Sequence, residues 1–122
     1  MIRGIGCDLV EIERIRKAAG SKKFLEKCFS DSEIAAFDQT QSIAFLAGNF
    51  AVKEAVVKAA GRGFRGFWPR EIEVKRNDLG APYVMLSPKA IEALGISENQ
   101  IVYISISNTK AMAMAMAVLC KA

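Results

Sequence analysis

The stretch SIAFLAGNFAVKEAVVKAAG, from Ser42 to Gly61, predicts the longest helix of the chain. It contains no proline, and its only internal glycine is Gly48. Gly61 suits the position just after a helix C-terminus. The apolar residues recur at helical spacing and form one stripe; they are Ile43, Leu46, Ala47, Phe50, Ala51 and Ala55. We therefore expect one long helix that ends near Ala60.

The segments on either side of this helix predict shorter elements. Ile2 to Asp8 predicts a strand that leads into a helix with Ile12 and Ile15, and the capping box at Ser30 to Glu33 predicts a helix over about 31–38. A hairpin (71–75 and 82–86), a short helix (89–94) and two strands (102–107 and 112–116) follow. This order, β-α-α-α-β-β-α-β-β, predicts an α+β fold with a mostly antiparallel sheet. The alanine face of the last strand predicts close packing of another layer, for example a second subunit.

The composition predicts one globular domain spanning residues 1–122. The chain is 52% hydrophobic and 25% charged, which is typical of a folded protein rather than a disordered one. Its longest apolar run, Ala111 to Cys120, is too short to cross a membrane, and the N-terminus lacks a signal-peptide pattern. We therefore expect a cytoplasmic protein without a membrane partner. The three scattered cysteines are expected to be reduced and mostly buried.

The absence of histidine restricts the chemistry of the protein. With no histidine in the chain, Ser-His-Asp and Cys-His mechanisms and His-ligated metal sites are excluded. Acid–base chemistry then depends on Asp, Glu, Lys, Tyr or metal-bound water. The net charge of +4 is concentrated in one basic segment, from Arg14 to Lys27, which has six cations and a single anion, Glu26. This segment is either a solvated helix face or a docking surface for an acidic partner.

Three ionisable residues are candidates for catalysis. Asp8 follows an apolar strand, where it could also cap the next helix. Glu54 and Lys58 are four residues apart in the long helix and could form an ordinary exposed ion pair. Their spacing also places them next to the apolar stripe, where charges need partners or a ligand. Two carboxylates without histidine suit a hard cation such as Mg²⁺ together with phosphate oxygens.

Two motifs resemble the signatures of the 4′-phosphopantetheinyl transferases, in particular the short bacterial holo-acyl-carrier-protein synthases. They are GIGCDLV, from Gly4 to Val10, with Arg14, and FAVKEAVVKA, from Phe50 to Ala59. Further matches before, between and after them extend the resemblance over the whole chain; they are FLAG at 45–48, Gly61-Arg62-Gly63, Gly80-x-Pro82-Tyr83 and Ser105-Ile106-Ser107.

The resemblance implies an activity and roles for particular residues. The family transfers phosphopantetheine from coenzyme A to a serine of apo acyl carrier protein, which supports fatty acid biosynthesis. Asp8 and Glu54 would hold Mg²⁺, Glu54 would help to deprotonate the serine, and Lys58 would offset phosphoryl charge. Coenzyme A would be bound by residues in and after the long helix, namely Asn49, Lys58, Gly61, Arg62 and Gly63.

The resemblance also implies two kinds of protein partner. Acyl carrier proteins are acidic, and family members dock them on the first helix. The expected contacts are therefore cations of the basic segment, namely Arg14, Arg16, Lys22 and Lys23. Family members also form trimers with active sites at subunit clefts, so a homotrimer with a phosphopantetheinyl transferase-like fold is expected.

The chain departs from the family pattern at three positions. Many relatives have a basic residue in place of Asn49, and histidines in place of Tyr103 and Asn108. These differences bear on the rate of the reaction and on the affinity for coenzyme A.

Two alternative functions are a basic module that binds nucleic acid and a purely structural oligomer subunit. In the first case, substitution of Glu54 would leave nucleic-acid binding unchanged. A structural subunit would have no use for the charges of Glu54 and Lys58 beside the apolar stripe. The function that the family resemblance implies involves no nucleic acid.

Overall fold

The computed structural model describes all of residues 1–122 and contains five strands and five α-helices. The chain forms, in order, β1 (Ile2–Glu11), α1 (Ile12–Ala18), α2 (Lys22–Cys28), α3 (Asp31–Thr40), α4 (Ile43–Ala59), a short 3₁₀ turn (Pro69–Glu71), β2 (Ile72–Arg76), β3 (Pro82–Leu86), α5 (Pro88–Leu94), β4 (Gln100–Asn108) and β5 (Met112–Lys121). The predicted α+β class is confirmed.

The strands form two antiparallel sheets. In the larger sheet, β5 lies between β1 and β4, and in the smaller one β2 pairs with β3 as a hairpin. The register of the larger sheet places Asp8 of β1 opposite Ala115 of β5. The predicted antiparallel pairing is therefore confirmed, but the strands are divided between two sheets.

Helix α4 is the centre of the hydrophobic core. It packs against all three strands of the larger sheet and is buried on almost every side. The alanine face of β5, namely Ala113, Ala115 and Ala117, is fully buried on the same side of the sheet. The layer that covers this face is therefore the chain's own helix, and the suggested second subunit at this face was wrong.

Two glycines of β1 allow the strand to lie directly on the backbone of α4. A Cβ atom at Gly4 would overlap the carbonyl oxygen of Ala59, and one at Gly6 would overlap the carbonyl oxygen of Ala55. Any larger residue at either position would force the strand and the helix apart. The two glycines of β1 and the backbone of α4 therefore set the separation of the strand from the helix.

A buried polar network holds a second face of α4. The Lys53 ammonium is fully buried and donates to Glu33 Oε1 at 2.8 Å, to the Pro69 carbonyl at 3.2 Å and to the Ile72 carbonyl. Asn49 donates to the other oxygen of Glu33 at 2.9 Å. Burial lowers the pKa of Lys53, while the adjacent Glu33 carboxylate opposes this shift. The network connects α4 to α3 and to the start of β2.

Serine side chains mark the starts of four helices. Ser21, Ser30, Ser42 and Ser87 each accept a hydrogen bond from the backbone N–H three residues later. Ser21 begins α2, a helix that the sequence analysis did not predict. The alternative cap role of Asp8 was wrong, because α1 begins after Glu11 without a side-chain cap.

The cysteines are less buried than expected. All three are free thiols, but Cys7 is exposed, and Cys28 and Cys120 are half-buried. The structure contains no helix long and apolar enough to span a membrane.

We predict that Gly6→Ala destabilises the fold by about 1–3 kcal/mol, because the added methyl group collides with backbone that cannot rotate away. Urea denaturation would measure this change. Gly20→Ala is the matched control, since an added Cβ there meets only the Lys17 carbonyl oxygen, at 3.4 Å. Equal midpoints for the two variants would contradict the close packing of β1 on α4.

We predict that Lys53→Met lowers the free energy of unfolding by about 3–5 kcal/mol, because it leaves the buried Glu33 carboxylate without its cation. Lys22→Met is the control, since it removes an exposed ion pair with Glu26 and should change stability little. Thermal unfolding of both variants tests the prediction. A Lys53→Met protein as stable as Lys22→Met would show that the network contributes nothing.

Candidate active site

Asp8 and Lys58 meet where β1 crosses the last turn of α4. The Lys58 ammonium donates to Asp8 Oδ1 at 3.3 Å and to the Cys7 carbonyl at 2.9 Å. The Asp8 side chain is only 17% exposed, whereas that of Lys58 is 53% exposed. The pair therefore lies at the protein surface, with its carboxylate mostly covered and its ammonium facing solvent.

Glu54 lies one turn before Lys58 on α4 and is half-buried. Its carboxylate makes no hydrogen bond and no ion pair, so the alternative of an ordinary Glu54–Lys58 pair was wrong. Burial raises the pKa of Glu54, and the nearby Asp8 carboxylate raises it further, while Lys58 and Arg14 oppose the shift. The structure thus brings the two carboxylates of the separate motifs close enough to repel each other.

The carboxylates of Glu54 and Asp8 suit a divalent cation that takes its remaining ligands from water or substrate. No group of three or more His, Cys, Asp or Glu side chains converges in the structure, so the protein offers at most Asp8 and Glu54 at this place. Mg²⁺ is commonly held by one or two carboxylates, with water and substrate phosphate completing its octahedron. A cation between these carboxylates would also relieve their repulsion.

The basic segment borders this cluster through Arg14. Arg14 is exposed on α1 and lies close enough to Glu54 to lower its pKa. Arg16 is paired with Glu13 at 3.0 Å, and Lys22 lies 3.9 Å from Glu26. Lys23 is exposed on α2. Arg14 is thus the cation of this segment that acts on the Glu54 carboxylate.

The glycine loop after α4 lies at the surface. Gly61, Arg62 and Gly63 are all exposed, and the Gly61 N–H bonds to the Lys58 carbonyl at 3.0 Å. Arg62 donates to the Ala93 carbonyl at 3.2 Å, at the end of α5. The loop therefore continues directly from the turn of α4 that carries Lys58.

Asn49 does not join the cluster. It is fully buried, with its amide nitrogen bound to Glu33 and its oxygen accepting from Arg76 at 3.0 Å. Both polar atoms are occupied inside the protein, so the expected contact with coenzyme A is corrected to a structural role. Tyr103 and Asn108 are exposed on β4.

Lys53, the immediate neighbour of Glu54, was not among the residues predicted from the sequence. Lysine is rarely buried completely, and no sequence signal marked its partner Glu33 beyond that residue's part in a capping box. The structure places Lys53 in the network that fixes α4, on the face next to that of Glu54. Lys53 therefore helps to hold the helix that carries Glu54 and is not itself one of the site residues.

The chain is similar to known proteins over its full length. The sequence model of the 4′-phosphopantetheinyl transferase superfamily matches residues 4–115. A holo-[acyl-carrier-protein] synthase of Clostridium botulinum (strain Eklund 17B / Type B) is 47% identical over 121 residues, covering 98% of each chain.

Two solved structures share the fold. A holo-(acyl-carrier-protein) synthase from Bacillus anthracis, in complex with CoA (3′,5′-ADP), has a TM-score of 0.84 and 34% identity, covering 100% of this chain and 99% of its own. The synthase from Neisseria meningitidis has a TM-score of 0.86 and 34% identity, covering 99% of this chain and 100% of its own. The match of family model, sequence and fold shows that this chain belongs to the 4′-phosphopantetheinyl transferase superfamily, among the holo-[acyl-carrier-protein] synthases.

Proposed function

We propose that this protein transfers the 4′-phosphopantetheine group of coenzyme A to a serine of apo acyl carrier protein and releases adenosine 3′,5′-bisphosphate. The observation that carries the proposal is the convergence of Asp8, Glu54 and Lys58 from the two family motifs. The Bacillus anthracis relative, crystallised with CoA (3′,5′-ADP), supports coenzyme A as the donor. The holo carrier protein formed would serve fatty acid biosynthesis.

The proposed reaction needs a proton acceptor and a counter-charge. The serine oxygen forms a bond to the phosphorus that bears the pantetheine arm, and the bond from that phosphorus to the bridging oxygen breaks. Glu54 takes the serine proton, directly or through a water, because it is a half-buried carboxylate that makes no other hydrogen bond or ion pair. Lys58, whose ammonium faces solvent, offsets the charge that develops on the phosphoryl group or leaving group.

We propose Asp8 and Glu54 as the ligands of a magnesium ion. The support is the donor set itself, two carboxylates at a half-buried site with no third acidic group. When bound, the ion would neutralise phosphate charge and orient the pyrophosphate. Lys58 and the exposed loop of Gly61, Arg62 and Gly63 would contact coenzyme A next to it.

We propose that the basic segment docks the acidic carrier protein. Arg14 is exposed and electrostatically coupled to Glu54, so a partner bound there would present its serine near the carboxylates. Arg16, Lys22 and Lys23 extend the same positive surface along α1 and α2.

We propose a homotrimer in the cytoplasm. The outward face of the larger sheet is apolar and open to solvent in the single chain; its exposed residues include Ile5, Leu9, Tyr103, Met114 and Met116. An exposed patch of this kind is typical of a subunit interface. Three free thiols suit a reducing compartment.

We predict that Glu54→Gln lowers the turnover number by about 10²–10⁴-fold without changing the melting temperature, because the amide keeps the shape but cannot accept the proton. Intact-mass analysis of apo acyl carrier protein, incubated with enzyme, coenzyme A and Mg²⁺, measures the transfer. Glu92→Gln, an exposed change on α5, is the control.

The same assay tests the metal and the reaction itself. Wild-type enzyme should add the mass of one phosphopantetheine group, and a chelator should abolish the gain. No mass gain from well-folded wild-type protein would contradict the proposed function, and undiminished transfer in chelator would contradict the magnesium site.

We predict that Arg14→Ala raises the KM for carrier protein about fivefold at low salt and leaves the turnover number nearly unchanged, because it removes a docking charge. The effect should shrink as salt is added. Lys121→Ala, an exposed cation on another element, is the control. Equal KM values for the two variants at every salt concentration would exclude docking through Arg14.

A further inference from the structure

A pocket of about 520 Å³ lies between the end of α2, the segment that precedes β2 and the start of α5. Pockets of roughly 300–1,000 Å³ are typical of small-molecule sites. Its aromatic members are Phe64, Phe67 and Trp68, and its charged members are Lys27 and Lys89. No acidic side chain lines it. The pocket therefore combines an apolar wall with positive charge.

The three aromatic side chains supply the apolar wall. Phe67 is buried, and its ring centroid lies 5.3 Å from that of Phe64, which is half-buried. Trp68 is 53% exposed. Covering exposed apolar surface with an apolar ligand group is favourable, because it removes that surface from water. The aromatic wall is thus suited to an apolar chain.

The two lysines at this pocket have no anionic partner. Neither Lys27 nor Lys89 makes a side-chain hydrogen bond or an ion pair. Lys27 is half-buried, and its ammonium lies 4.8 Å from the centroid of the Trp68 ring. Lys89 is exposed. A partly buried ammonium group is stabilised by an anion, and a carboxylate bonded to it makes a charge-assisted hydrogen bond.

We propose that this pocket binds a fatty acid. Its chain lies against Phe64, Phe67 and Trp68, and its carboxylate is bound by Lys27 and Lys89. The aromatic wall favours an apolar chain over a fully hydrated anion. The two ammonium groups favour a carboxylate over an alcohol of the same chain length.

The fatty-acid site is separate from the candidate active site. Asp8, Glu54 and Lys58 do not line the pocket, and the loop at 61–63 does not line it either. Pro69, which does line it, accepts a hydrogen bond from Lys53 at 3.2 Å, so the pocket adjoins the buried network that holds α4. Fatty-acid binding is therefore independent of the proposed transfer reaction.

The fluorescence of Trp68 provides a direct test, because Trp68 is the only tryptophan of the chain and lines the pocket. Titration of the full chain with octanoate should shift its emission to shorter wavelength. The shift should saturate, and calorimetry should give one octanoate per chain. 1-Octanol, which has the same chain length, should bind about tenfold more weakly, because it leaves both ammonium groups without an anion.

Substitutions separate the contribution of the lysines from that of the aromatic wall. The double variant Lys27→Gln, Lys89→Gln should bind octanoate about tenfold more weakly than wild type and 1-octanol equally well. Phe64→Ala should weaken the binding of both ligands. Lys110→Gln, which removes an exposed cation between β4 and β5, is the matched control and should bind both ligands like wild type. Addition of coenzyme A should leave octanoate binding unchanged.

Four results would overturn the fatty-acid site. An emission that does not respond to octanoate, or equal affinities for octanoate and 1-octanol, would show that the pocket does not select a carboxylate. Unchanged octanoate affinity in the double lysine variant, or an equal loss in Lys110→Gln, would show that the two lysines do not hold the carboxylate. Displacement of octanoate by coenzyme A would show that the pocket is part of the transfer site. The transfer assay itself would be unaffected by the first three results, so the proposed function would stand.

Discussion

The close contact between β1 and α4 fixes the position of Asp8 relative to the long helix. Gly4 and Gly6 lie where any side chain would overlap the carbonyl oxygens of α4. Without that contact, Asp8 would be held too far from α4 for the Lys58 ammonium to reach both its carboxylate and the neighbouring Cys7 carbonyl. The first family motif thus has two structural roles. Its glycines set the distance between β1 and α4. At that distance its aspartate, Asp8, accepts a hydrogen bond from Lys58.

The three neighbouring faces of α4 have different tasks. Successive residues of a helix are 100° apart, so Glu54 projects between the direction of Lys53 and that of Ala55. Lys53 is fixed in the buried network with Glu33, and Ala55 lies under Gly6. Both flanking faces are therefore anchored, which limits rotation of α4 about its axis. The proposed catalytic role of Glu54 would benefit from this support, because the position of its carboxylate relative to Asp8 decides how strongly the two interact.

Much of the fold could be predicted from the sequence, because hydrophobic period and helix caps are local signals. They predicted the long helix and the hairpin close to their observed bounds. The first and last strands begin where predicted but continue further, to Glu11 and to Lys121. Helix α2 was missed, since seven residues carry too weak a period, although Ser21 was a usable cap signal. The element that packs on the alanine face could not be predicted. A face of small residues indicates that another layer packs closely against it, but it does not identify that layer.

The candidate site was predicted only in part, because a motif names residues but not their distant partners. The motif resemblance named Asp8, Glu54 and Lys58, and the structure brings them together. It also named Asn49, whose buried hydrogen bonds depend on Glu33 and Arg76 from distant elements. Partners so far apart in sequence produce no recognisable local sequence pattern. The burial of Lys53 could not be predicted for the same reason, since its partner Glu33 lies on another helix.

The proposed reaction depends most on Asp8 and Glu54 together holding a divalent cation beside coenzyme A. The most direct test is an anomalous difference map from crystals grown with coenzyme A and Mn²⁺, which replaces Mg²⁺ and scatters anomalously. We expect one strong peak within coordination distance of both carboxylates, with pyrophosphate oxygens on its other side. A peak bound elsewhere, or ordered coenzyme A with no peak between the two carboxylates, would show that Asp8 and Glu54 do not hold the ion.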